Sequence, residues 1–123
     1  MGETSIGLDE NIEGALCYLL GWLTGIVFFV LEKDNRFVKF HAMQSIVVFF
    51  GLMILMWIIG AITTAMMVGA SMMGSGMIAS LFTLVMVLIQ LVIFGLWLFL
   101  MYKAYSGEMY KVPVIGDWVE SKI

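Results

Sequence analysis

A chain of 123 residues that is 63% hydrophobic, only 12% charged and carries a net charge of −3 is short enough for one domain and too apolar for a soluble one. No ionisable side chain occurs between His41 and Tyr102, so no polar face can turn to water and the chain is an integral membrane protein. The acidic balance excludes nucleic-acid binding, which needs clustered Lys and Arg. The single cysteine, Cys17, excludes a disulfide framework and a thiolate zinc site.

The N-terminal flank holds Glu3, Asp9, Glu10 and Glu13 and no basic residue, unlike a secretory signal. Gly2 invites myristoylation, but Ile6 stands where Ser or Thr is needed. Helix 1 is predicted over about 9–31: Asp9 can cap it, and Glu10 and Glu13 suit the positive end of its dipole. Its uncharged eighteen residues would rise roughly 27 Å, just enough to span. A cytoplasmic loop, 32–36, follows. Helix 2, about 36–68, is long for one span, so its first turns belong at headgroup level or the helix tilts. An outer turn, 69–77, is rich in Gly and Ser. Helix 3 covers about 78–102. The tail, 103–123, breaks at Ser106-Gly107 and Pro113. Beyond them Ile115, Trp118, Val119 and Lys122 share a face, predicting a short amphipathic element on the inner leaflet, with Asp117 and Glu120 as a weak capping box.

All six basic residues fall in the 32–41 stretch and the tail, three in each. The positive-inside rule then places both on the cytoplasmic side. The expected architecture is an all-α membrane protein, a single integral membrane domain over 1–123. It has three transmembrane helices, the N-terminus outside and the C-terminus cytoplasmic, and is multi-pass in the cell (inner or plasma) membrane. Phe28, Phe29, Phe37, Phe40, Tyr102 and Tyr105 should form an interfacial belt. Trp22 and Trp57 fall mid-span, where packing between helices is the expectation.

Cys17, Gly21 and Gly25 repeat every four residues, a small-residue face for helix packing or self-association. Ala61, Ala65 and Gly69 repeat the pattern on helix 2. Helix 3 carries a seam of Ser80, Thr83, Val87, Gln90, Phe94 and Trp97. Thr83 and Gln90 are intramembrane polar residues that either bond to another helix or line a pathway. His41, Gln44, Ser45 and Val48 share a face of helix 2. His41 lacks a second ligand at metal spacing, so a hydrogen-bonded structural histidine is favoured. Glu32 and Arg36 could pair, at little gain on an exposed surface. Met66, Met67, Met72, Met73 and Met77 crowd the outer turn. They suggest pliable packing or copper(I) handling, although Met53 and Met56 are three residues apart rather than four. No nucleophile–base pair, phosphate loop or carboxylate pair is legible, so no catalytic residue, cofactor or metal site is expected.

The string Leu31-Glu32-Lys33-Asp34-Asn35-Arg36-Phe37-Val38-Lys39-Phe40-His41-Ala42-Met43-Gln44-Ser45, with Tyr18-Leu19-Leu20-Gly21-Trp22-Leu23-Thr24-Gly25 before it and Lys103-Ala104-Tyr105 and Val112-Pro113-Val114-Ile115-Gly116 after it, resembles prokaryotic relatives of Tic-twenty. That protein is a subunit of the chloroplast inner-envelope import translocon, usually described with four spans. The resemblance implies a small helical membrane protein with a possible role in membrane transport or as a translocon accessory. It marks Arg36, Phe37, Phe40, His41 and Gln44 as defining positions. The candidate functional loop is therefore Glu32, Asn35, Arg36, Phe37, Phe40, His41, Gln44 and Ser45. The expected partners are the lipid bilayer and either further copies of the chain or a larger membrane complex. The alternatives are a self-associated channel for ions or small solutes and a methionine-based copper transporter.

Overall fold

The computed structural model describes residues 4–123; Gly2 and Glu3, which entered the reading of the N-terminal flank, lie outside them. The helices are α1 (Glu10–Leu19), α2 (Trp22–Leu31), α3 (Arg36–Ser45), a π-helical turn (Ile46–Phe50), α4 (Gly51–Met72), α5 (Gly76–Tyr105) and α6 (Ile115–Lys122). No strand occurs among the described residues. Two compact units result. One takes in the chain as far as Gly51 together with Trp97–Ile123, and the other is Leu52–Leu96.

Two helices, Arg36–Met72 and Gly76–Tyr105, are long and apolar enough to cross a membrane. The first exceeds the expected helix 2 by four residues, and the second exceeds helix 3 at both ends. The outer turn shrinks to residues 73–75. Hydrocarbon explains this, because without water to take up free backbone groups Gly69 and Gly76 stay helical. Ser80 and Thr83 bond back to the carbonyls of Gly76 (2.9 Å) and Ala79 (3.1 Å).

The expected single helix over 9–31 is instead two helices of ten residues each. Gly21 breaks it at φ 64° and ψ −131°, a conformation that a Cβ disfavours. Thr24 makes the break tolerable: its hydroxyl accepts from Leu20 N (3.1 Å) and donates to Cys17 O (3.0 Å), serving backbone groups orphaned at both helix ends. The chain doubles back, and the far ends of α1 and α2 meet. Ser5 N and Oγ donate to Glu32 Oε1 (2.7 and 2.8 Å), and Asn35 Nδ2 donates to Glu10 Oε2 (3.0 Å). Each arm rises about 15 Å, half a bilayer core.

Both arms pack on α3, around a core of Cys17, Val38 and Ala42 flanked by Phe28, Phe29 and Phe37. Asn35 caps α3, its Oδ1 accepting from Val38 N at 3.0 Å. Trp22 meets Phe50 edge to face at 5.2 Å.

The unit Leu52–Leu96 is a helical hairpin with almost nothing buried. Trp57 is 68% exposed, so it does not pack between helices of this chain. At the end of the Ala61, Ala65 and Gly69 stripe, no heavy atom lies within 4 Å of where a Gly69 Cβ would be.

Candidate functional site

The first unit is organised around a buried polar network on the face of α3 that carries His41, Gln44 and Ser45. All three are closed to solvent, as is Tyr18 of α1. His41 Nε2 lies 3.0 Å from the Glu108 carbonyl. A carbonyl only accepts, so Nε2 carries the proton and Nδ1 accepts from Tyr18 OH at 2.8 Å. Gln44 Nε2 donates to Tyr18 OH (2.9 Å) and to Tyr110 O (2.9 Å), and its Oε1 accepts from Val112 N (3.0 Å). The amide thus pairs with the tail as another peptide group would. Phe37 and Phe40 close over the imidazole edge-on, at 4.6 and 5.2 Å.

A second set of bonds holds the hairpin tip. Trp97 Nε1 donates to Tyr18 O (2.5 Å) and Ser45 Oγ to Gly21 O (2.7 Å). Both carbonyls flank the break, where Tyr18 O also accepts from Gly21 N (3.0 Å) and Gly21 O from Gly25 N (3.4 Å), so side chains of α3 and α5 add further bonds at the hairpin tip. Gly25 fits against α3 because a Cβ there would lie 2.8 Å from Ala42 O. Cys17 Sγ points at Val38 O, 3.8 Å away.

The residues of the expected loop are therefore brought together, in different duties. Asn35 caps, Phe37 and Phe40 enclose, and His41, Gln44 and Ser45 bond. Arg36 does not pair with Glu32. Its guanidinium reaches the main-chain oxygens of Glu120 (3.4 Å) and Ile123 (3.2 Å) at the end of α6, where a cation suits the helix dipole. The tail therefore lies on protein: α6 packs on α3 and buries Val119. Asp117 and Glu120 form no capping box, because Val114 occupies the cap position at φ 69°. Both face Lys111 instead, at 3.5 and 3.0 Å. Gly21 is a hinge and not part of a helical packing face.

Thr83 and Gln90 lie in the other unit. With Gly60, Thr63, Thr64 and Phe94 they line a cleft of about 630 Å³. Gln90 is exposed there.

Sequence reasoning gave no site role to Tyr18 and Thr24, and placed Trp97 only on the seam of helix 3. Tyr18 and Thr24 had a signal, since a hydroxyl inside an apolar run needs a partner. Glu13 was read as a dipole partner. It is enclosed instead, and neither carboxyl oxygen is hydrogen-bonded among the described residues. Burial, with the facing Glu32 carboxyl, raises its pKa above the ordinary carboxylate value.

Comparison with known proteins places the chain in a different group from the one its loop suggested. Residues 9–119 match the family described as the magnetosome magnetite crystal formation protein family. A UPF0132 membrane protein of Methanocaldococcus jannaschii is 50% identical over 120 residues, covering 98% of this chain and 94% of that protein. A second from the same organism is 42% identical over 116 residues, covering 94% of this chain and 71% of that protein. One from Archaeoglobus fulgidus is 40% identical over 116 residues, covering 94% and 97%. No solved structure matches. The likeness to Tic-twenty is thereby corrected, because the string that carried it lies inside the matched region. Basic and aromatic residues between two apolar runs are what any cytoplasmic membrane boundary selects, so such a string is a weak family marker.

Proposed function

Since the chain belongs to the magnetosome magnetite crystal formation protein family, which here reads as a membrane protein related to the archaeal UPF0132 proteins, we propose that it is a membrane-embedded assembly protein of the cell membrane. It works through lateral helix contacts with further copies of itself, and not as an enzyme. We read α1 and α2 as a re-entrant hairpin that enters from the cytoplasmic side, with Arg36–Met72 and Gly76–Tyr105 as the two spans. The contacts of Ser5 with Glu32, of Glu10 with Asn35 and of Asn11 with Tyr105 O (2.9 Å) support this reading, because they hold the start of α1 beside two basic boundaries.

The observation that carries the assembly reading is the cleft of the Leu52–Leu96 unit. Among the described residues the Gln90 amide has no hydrogen-bond partner. In hydrocarbon a primary amide needs one, and an amide both donates and accepts, so a second copy satisfies it. The test is resonance energy transfer between labelled copies in liposomes. Gln90→Leu is expected to weaken association about fivefold, since such a bond contributes roughly 1 kcal/mol. An unchanged dissociation curve would count against the reading.

The polar lining of the same cleft, Thr63, Thr64, Thr83 and Gln90, supports a second reading, a permeation path formed in the oligomer. That reading requires Gln90→Leu to abolish solute flux from liposomes without lowering the melting temperature.

A further inference from the structure

We propose that Glu13 and Glu32 form a proton-binding site that fastens the N-terminal segment across the mouth of the α1–α2 hairpin. Glu13 is fully enclosed and Glu32 is 1% exposed. Of their four carboxyl oxygens, Glu13 Oε1, Glu13 Oε2 and Glu32 Oε2 have no hydrogen-bond partner among the described residues. The fourth, Glu32 Oε1, takes both Ser5 N and Ser5 Oγ. Glu13 projects from α1 and Glu32 from the end of α2, and the Glu32 carboxyl lies near enough to act on Glu13 electrostatically.

Two enclosed carboxyls so near each other do not both ionise without a cation between them. Among the described residues the surrounding charges supply none. On α1, Glu10 is bonded to Asn35, and Cys17 lies one turn deeper beside Val38 O. Ahead of α1 stands Asp9. In the loop, Lys33 and Asp34 are exposed. On α3, Arg36 is turned to the end of α6, Lys39 lies over the Phe29 ring at 5.4 Å, and His41 is held between Tyr18 and Glu108. On α5, Lys103 pairs with Glu108 at 3.0 Å. A metal ion is no better an occupant, because no group of three His, Cys, Asp or Glu side chains converges among the described residues. A single proton shared by the pair answers the geometry: one carboxyl becomes a donor, the other its acceptor, and the remaining Glu32 oxygen keeps Ser5.

Burial and the facing carboxyl both raise the pKa of Glu13. A raised carboxylate binds its proton more tightly in the folded chain. The docked form therefore has its full stability below the ordinary carboxylate range, and loses it as pH rises through the raised value. Above that, two charges face each other and Ser5 is released.

The test uses the full chain in nanodiscs of neutral lipid, with an environment-sensitive fluorophore on Ile6→Cys, titrated from about pH 4 to about pH 9 to span the carboxylate and histidine ranges. One release transition is expected, displaced upward from the ordinary carboxylate range. Glu13→Gln, whose amide donates at every pH, is expected to remove the transition and leave the segment docked. Infrared spectroscopy across the transition should show a protonated carboxyl band that disappears as docking is lost and that the same variant lacks. A transition unmoved in Glu13→Gln, the absence of any transition, or no protonated carboxyl band in the parent protein would each overturn the proposal. If Glu13→Gln does not fold, Glu32→Gln is read in the same two ways, because it replaces the other half of the shared proton site.

Discussion

Gln44 shows how much one buried amide can organise. It satisfies a donor and an acceptor of the tail and the hydroxyl of Tyr18 at once. Gln44→Leu leaves Val112 N and Tyr110 O bare beside an apolar surface, a cost of roughly 1–3 kcal/mol for each buried group. We expect it to lower the melting temperature and to speed hydrogen exchange at Val112, while α6 stays helical through its own Lys111 pairs. Equal exchange at Val112 in parent and variant would show that the tail is held by something else. A second contrast concerns glycine. Gly25→Ala would push a methyl within 2.8 Å of Ala42 O, a backbone atom that cannot step aside, whereas Gly95 has open space around it. The first substitution should destabilise by about 1–3 kcal/mol. The second should stabilise by up to roughly 1 kcal/mol through helix propensity. Paired thermal melts of the two variants check both signs.

At the scale of the element, the break at Gly21 decides what the first apolar run becomes. Composition alone reads residues 14–31 as a span, because length and hydropathy say nothing of φ. The hinge is specified by a local set: Gly21 for the conformation, Thr24 for the orphaned backbone groups, Ser45 and Trp97 for further bonds to the flanking carbonyls. The π-helical turn begins at the residue after Ser45, where α3 reaches across to the hairpin tip, a usual setting for such a turn. Gly21→Ala places a Cβ at φ 64°, at a cost of about 1–2 kcal/mol, and so favours straightening the hairpin into one helix. The expected result is loss of the Trp97–Tyr18 contact, read as a change in tryptophan fluorescence together with a lower melting temperature. An unaltered spectrum would mean that the hinge does not depend on glycine.

For the whole molecule, the contacts at the base of the hairpin bear on sidedness. If α1 and α2 are re-entrant, the N-terminal segment, the 32–35 loop and the tail lie on one face. Reporter fusions at residue 1 and residue 123, scored for cytoplasmic or external activity, should then give the same answer. Opposite answers would restore three spans and displace the re-entrant reading. The charge pattern is compatible with either, because the N-terminal flank holds no basic residue to fix its side.

The sequence by itself determined that the chain is helical and a membrane protein, and predicted a polar loop over 32–36. Those facts follow from uncharged runs and the position of Lys and Arg, which are one-dimensional properties. It also put His41, Gln44 and Ser45 on one helix face, because 3.6-residue periodicity is local. Only the tertiary structure decided that this face binds the tail, that Glu13 and Glu32 lie near each other in a closed space, and that α1 turns back at Gly21. Each depends on partners far apart in the chain, such as Tyr18 with Trp97 or Gln44 with Val112. In a chain this apolar, hydropathy no longer marks an inside. The few polar groups and their long-range hydrogen bonds therefore specify the fold, and their pairing cannot be read from spacing along one helix.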